Sequence, residues 1–363
     1  MEALKNTPLL QEHLKLKALM APFGGWNMPI QYEGILAEHR WCRGKAAIFD
    51  ICHMGEFLYK GNIETGGLED VFTFSVKSIP VGRSRYGFLL NERGGIIDDL
   101  IVFRPAEDEA LIVVNAATIA NDFSVILSRL KGSATFSDIS PVTGKLDIQG
   151  PLSRQLLAEK IVPEIDSIPY FKFIKTTILG ADAIVSRTGY TGELGYEILL
   201  PADRVMELWA LLLRDERVKP AGLGARDLLR LEVGYSLYGS DIDEATTPLE
   251  AGLEAFVNFD KAFVGKEALL KQRAEGIKRR KVAFEVSSRR APRHHYEICF
   301  EGEVVGSVTS GVFSPMLGSG IGMGFVRPDM AVLGAPLTIR HERVSMEATV
   351  VELPFYRAGS LRS

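Results

Sequence analysis

Little in this sequence could cross-link it, hold a metal or anchor it. The three cysteines, Cys42, Cys52 and Cys299, are odd in number, far apart and never in CxxC spacing. That argues against a disulfide framework and a cysteine zinc site, and it fits a reducing compartment. No stretch approaches eighteen apolar residues, so no spanning helix is expected. The charged opening MEALKNTPLLQEHLKLKALM has neither the apolar core of a secretion signal nor an Arg/Ser-rich transit pattern. A cytoplasmic location is expected, with an organellar matrix left open if a transit peptide has been removed. Repeats and low-complexity tracts are missing too, which removes solenoids, propellers and disordered tails. Basic residues are scattered and the formal net charge is −4, which argues against nucleic acid as the main partner.

The common catalytic signatures are also missing. GKEALL lacks the upstream glycines and the Ser/Thr of a P-loop, and no GxSxG elbow occurs. PAGLGARDLLRLE carries part of a dinucleotide fingerprint, but Asp227 stands where the third glycine belongs. Cys52 and His53 are neighbours on a chain read as extended, so their side chains point opposite ways and make a poor nucleophile pair. His294 and His295 lack metal-site spacing.

What is present is a mixed α and β chain of 363 residues, 46% hydrophobic, long enough for two or three domains. SRYGFLL, the turn NERGG and IIDDLIVF read as a hairpin; DEALIVV follows as a strand, with Asn115 placed to cap the helix AATIANDFSVILSRL. A second β-rich stretch runs from TTILGADAIVSR through TGYTGELG into YEILLP. DRVMELWALLLRD and ARDLLRLEVGYSL have helical spacing. From Lys278 onward, short strands punctuated by Gly and Pro predict a separate small β-barrel or sandwich. The basic run Lys278 to Lys281 at that boundary reads as a solvated linker face or as a docking patch for an acidic partner.

Three stretches could carry chemistry. In GGIIDDLIVF, alternation puts Asp99 with Ile97, Ile101 and Phe103 on one side and Asp98 with Ile96, Leu100 and Val102 on the other. Each aspartate thus has apolar companions. Either they satisfy backbone N–H groups near the Gly-Gly turn, or one faces a ligand pocket as acceptor or base. In SRTGYTGELGYEI, glycines 189, 192 and 195 flank Tyr190 and precede Glu197. A hairpin connection explains them, and so does close approach of backbone to a ligand, with a carboxylate suited to a heterocycle donating from a ring N–H and an amino group. In GLGARDLLRLE, Asp227 is expected in the first helical turn, and Arg226 and Arg230 share a face on which surface salt bridging is the plain reading.

Taken in order, FGGWNMPIQY, FDICHMGEF, GGIIDDLIV, SRTGYTGELGYE, PAGLGARDLLRLE, DIDEATTPLEAGL, FVGKEAL and SGVFSPMLGSGIGMGFV resemble the aminomethyltransferase (T-protein) family of the glycine cleavage system over nearly the whole chain. The resemblance implies an α+β fold: a three-domain cloverleaf around a folate cavity, with a C-terminal β-barrel. The implied domains are 1–50 with 140–240, 51–139 with 241–277 (ferredoxin-like), and 278–363. It also implies tetrahydrofolate as co-substrate, no metal, and lipoylated H-protein as partner, with functional links to the glycine decarboxylase and dihydrolipoyl dehydrogenase components. The methylene carbon of aminomethyl-lipoyl H-protein would pass to tetrahydrofolate with release of ammonia, giving 5,10-methylenetetrahydrofolate and dihydrolipoyl H-protein.

By the same matching Asp99 is the expected catalytic residue and Asp98 structural. Tyr190, Glu197 and Arg226 fall on folate-contacting positions, and Tyr86, Asn115, Tyr170 and Arg362 are expected around the same cavity. Two departures stand out: Cys52 where a serine is common, and His295 where glycine usually precedes tyrosine. Two rivals share the fold. One is a folate-dependent demethylase of a small amine or sulfonium compound. The other is the folate-binding protein of iron–sulfur maintenance, whose K-G-C-Y-x-G-Q motif is replaced here by AFVGKEAL.

Overall fold

The computed structural model describes residues 3–362, with Ser167 and Arg362 described by backbone alone. Strand alternation builds a five-stranded sheet whose order is Ser84–Leu90, Ile96–Ala106, Glu109–Val114, Gly55–Lys60 and Thr135–Asp138. The hairpin predicted from NERGG forms, pairing Phe88 with Asp99 and Gly87 with Leu100 across antiparallel strands. The helix Ile119–Arg129 covers this sheet, and Phe57, Phe72, Leu89, Leu100, Ile112 and Ile126 close its core.

A six-stranded sheet runs Phe173–Ile178, Ala181–Ser186, Gly195–Pro201, Thr143–Gln149, Ala46–Asp50 and Val218–Pro220, and only its last pair is parallel. Its two faces follow from the period of two. Leu146, Ile148, Tyr196, Ile198 and Leu200 face a core built with the helices Ser153–Lys160 and Val205–Leu213. The alternate residues Lys145, Asp147, Gln149 and Glu197 are all polar and all buried, with Asp147 directly opposite Glu197.

The six strands from Arg280–Val286 to Val344–Val351 close into a barrel around Phe284, Ile298, Val308 and Ile339. The helix Leu223–Glu232 carries it. From this helix Arg230, 2% exposed, donates to Ser310 Oγ on the barrel at 2.8 Å and to Asp241 Oδ2 at 2.7 Å, and Ser310 and Thr309 both donate to Asp241. His295, the residue standing for a glycine, sits at φ +68°, the left-handed region. Cys52 is buried; its backbone N–H donates to Asp50 and its sulfur accepts from the Lys145 N–H at 3.2 Å, taking the local acceptor role a serine could fill.

Candidate functional site

Asp99 projects from the hairpin strand and keeps part of its surface open. Its Oδ2 accepts from the Tyr86 hydroxyl at 2.9 Å and its Oδ1 from Asn115 Nδ2 at 2.9 Å. Burial lifts its pKa to about 7, the neighbouring Asp98 adds to the rise, and the two hydrogen bonds restrain it. Asp98, on the opposite face, has no exposed surface and accepts the Asn115 backbone N–H at 2.9 Å and Nδ2 at 2.8 Å. Asn115 therefore does not cap the following helix as expected. That helix begins at Ile119 after Thr118, without a side-chain cap, because the Asn115 amide is taken up by the two aspartates. Tyr86, whose hydroxyl binds Asp99, also lines a cavity of about 550 Å³ with Phe74, Arg85, Phe171 and Phe256.

Facing this wall is the polar side of the six-stranded sheet. Two opposed buried carboxylates need cations between them. Arg226 Nη1 meets Asp147 Oδ2 at 2.5 Å, and Lys145 Nζ lies 3.3 Å from Glu197 Oε2. Burial raises Asp147 to about 6, Arg226 opposes the rise, and Glu197 adds to it. Glu197 Oε2 receives no hydrogen bond despite its burial. Arg226 also lies over the Tyr190 ring at 5.2 Å, and Tyr190 stacks on Tyr235 with centroids 5.7 Å apart and donates its hydroxyl to the Ser236 carbonyl.

The loop glycines have a local cause. A Cβ at Gly189 or Gly195 would come within 2.1 Å of Gln149 Nε2, whose amide binds Asp147 Oδ1 at 2.6 Å and the Thr188 carbonyl at 3.0 Å. Gly192 turns at φ +75°. The glycines thus let the Tyr190 loop lie against the buried amide.

The charge of Asp99 acts on Tyr190 and on Lys281, which places the two groups of side chains near each other. Tyr170, at the rim and 39% exposed, feels Glu197 and shares a hydrogen bond with Tyr235. The structure thus gathers Asp99, Tyr86 and Asn115 on one side and Tyr190, Glu197, Arg226 and Tyr170 on the other. The Arg362 side chain lies outside the described residues.

Two readings of basic residues are corrected. Arg230 is a buried ion-pair member and Arg226 a largely enclosed one, because Asp241 and Asp147 reach them from outside their helix. Asp227 lies one turn deeper than expected, since the helix starts at Leu223, and it pairs with Arg230. Within the basic run, Lys281 turns inward to donate to Ser236 Oγ, and burial lowers its pKa to about 8. Lys145, Asp147 and Gln149 went unremarked in the sequence, although KLDIQ alternates polar and apolar inside a strand. No group of three or more metal-ligating side chains occurs among the described residues, and no helix there is long and apolar enough to cross a membrane.

Comparison with known proteins matches residues 9–261 to the GCVT N-terminal domain and 279–357 to the glycine cleavage T-protein C-terminal barrel domain. The chain is 44% identical to an aminomethyltransferase of Halothermothrix orenii over 97% of this chain and all of that one. It is 43% identical to one of Thermotoga maritima over 99% of each. In structure it is similar to the glycine cleavage system aminomethyltransferase T from Bartonella henselae, with TM-score 0.94 and 34% identity over 99% of both chains.

Proposed function

The chain belongs to the glycine cleavage T-protein family and is an aminomethyltransferase, and on that premise we propose that it moves the methylene carbon of an aminomethyl-lipoyl H-protein to tetrahydrofolate, with Asp99 as the base. The observation that carries the reading is the part-exposed carboxylate of Asp99, clamped by Asn115 and by Tyr86, whose ring lines the adjacent cavity. Lipoylated H-protein is the proposed carbon donor, and the glycine decarboxylase and dihydrolipoyl dehydrogenase components would charge and reoxidise it. The division into 1–50 with 140–240, 51–139 with 241–277, and 278–363 belongs to the same reading, supported by the grouping of the sheets.

The residues suit a reduced pterin. Glu197 Oε2 is a buried acceptor that has the Lys145 ion pair but no hydrogen bond, and Tyr190, Tyr235 and Arg226 form a flat stacking wall beside it. Tetrahydrofolate supplies the two amines that receive the carbon. Their two protons must leave, and the products, ammonia and a thiol, need two. Asp99 takes a proton at its carboxylate as the amine attacks and returns it toward the leaving group, a contribution of roughly 10²–10⁴ in rate. Tyr86 and Asn115 hold the carboxylate in one rotamer, and Asp98 keeps it basic.

The experiment is ammonia release from aminomethylated H-protein with and without tetrahydrofolate. Folate-dependent release is expected; release indifferent to folate, or none with competent H-protein, would sink the proposal.

A further inference from the structure

Behind Asp99 lie two further acids, Asp98 and Asp122. Asp98 points toward the helix Ile119–Arg129, where Asp122 sits in the first turn, and neither side chain has exposed surface. The two carboxyls lie within hydrogen-bonding reach of each other. Their other partners are unequal. Asp98 accepts two N–H groups of Asn115, whereas Asp122 has no N–H donor; the Thr118 hydroxyl beside it also donates to the Asn115 carbonyl at 3.0 Å. The charged groups that act here are acids: Asp99 from the strand and Glu244 from the facing loop, with the Tyr238 phenol, under the influence of Asp243, beside them. Two touching carboxylates in such surroundings cannot both ionise, so the pair holds one proton.

We propose that Asp122 is a positioning residue of the reaction: it donates the shared proton to Asp98, which remains the single anion gripping Asn115, and Asn115 through the same side-chain amide holds the Asp99 carboxylate. The pattern of donors assigns the proton, since the acid that accepts two N–H groups is the better anion. Burial raises both acids, Asp122 to about 7; Asp122 adds to the rise of Asp98, while Asp99 and Glu244 add to that of Asp122. Nδ2 of Asn115 reaches Asp98 Oδ1 at 2.8 Å, Asp99 Oδ1 at 2.9 Å and the Asp99 carbonyl at 3.0 Å, so a shift of Asp98 is passed on to Asp99.

This inference rests on Asp99 being the base, so the test has one readout that does not need turnover. Infrared spectra of the full chain at about pH 8 are compared between the parent and Asp122→Asn, both in a Glu56→Gln background. That background removes the other buried carboxyl, which burial lifts to about 8. The carbonyl stretch of a protonated acid is expected in the parent and lost in Asp122→Asn; a band unchanged by the substitution overturns the shared proton. In turnover, Asp122→Leu should lower kcat by about tenfold to a hundredfold with little change in the KM for tetrahydrofolate. Asp122→Asn, whose amide can still donate to Asp98, should recover most of that loss and leave the acid limb of kcat where it was. A limb moved downward in Asp122→Asn would mean that a negative charge had been removed, and would overturn the proposal. No turnover by the parent would overturn the role of Asp99 and the positioning with it, while the band would still report the proton.

Discussion

Asp98 and Asp99 are adjacent and chemically identical, yet the strand assigns them different work. One side of the strand meets the packed helix and the other is left partly open, so Asp98 is enclosed while Asp99 keeps an open face. Because the ionised form of Asp99 is the one that accepts a proton, kcat for ammonia release should rise with pH through about 7 and level off above it. A limb at the ordinary carboxylate value, near about 4, would contradict the environment described. Glu197 makes a separate prediction. Glu197→Gln keeps the shape but turns one acceptor into a donor, and should weaken tetrahydrofolate binding by about 1–3 kcal/mol in titration calorimetry, leaving the acid limb in place. Unchanged affinity would count against Glu197 as the acceptor for the pterin edge. The sequence already offered both readings of the aspartates; what it could not supply was which face would be covered, because the covering helix and the cavity come from other parts of the chain.

Among the elements, the six-stranded sheet is unusual in burying both faces while making one of them polar. That face holds because Lys145, Asp147, Gln149 and Glu197 find partners in one another, in Arg226 and in the Tyr190 loop. A side chain at position 195 would collide with the Gln149 amide, so Gly195→Ala should cost about 1–3 kcal/mol in denaturant unfolding. An unmoved midpoint at constant m would show that Gln149 can step aside freely. Elements of this kind were legible in advance wherever local pattern decides: the 84–106 hairpin, the strands at 109–114 and 195–201 and the helix at 205–213 sit where alternation and helical spacing put them, while the helix Leu223–Glu232 starts earlier and stops before VGYSL. Local pattern failed at Asn115. Its side chain is well suited to a helix cap, but Asp98 and Asp99, close in space and distant in sequence, compete for it and win.

For the whole molecule, the barrel is held against the rest by polar contacts from Arg230. This side chain joins the helix Leu223–Glu232, Asp241 and the barrel residue Ser310. Arg230→Leu would leave Asp241 buried without its cation, and should lower stability by about 3–5 kcal/mol as read by chemical denaturation. A loss under about 1 kcal/mol would mean that Thr309 and Ser310 suffice to hold the charge. The mixed α/β body and the terminal barrel could be foreseen from the change of texture at Lys278, whereas the inward turn of Arg226, Arg230 and Lys281 could not. Their partners Asp147, Asp241 and Ser236 are placed by tertiary packing, and no local spacing announces them. The assembled cavity is tested most directly by single-turnover ammonia release from aminomethylated H-protein, with Asp99→Asn beside the parent and tetrahydrofolate binding measured for both. The account predicts equal folate binding and a rate lower by at least about a hundredfold in Asp99→Asn; near-equal rates would contradict it and leave Asp99 a structural residue of the hairpin.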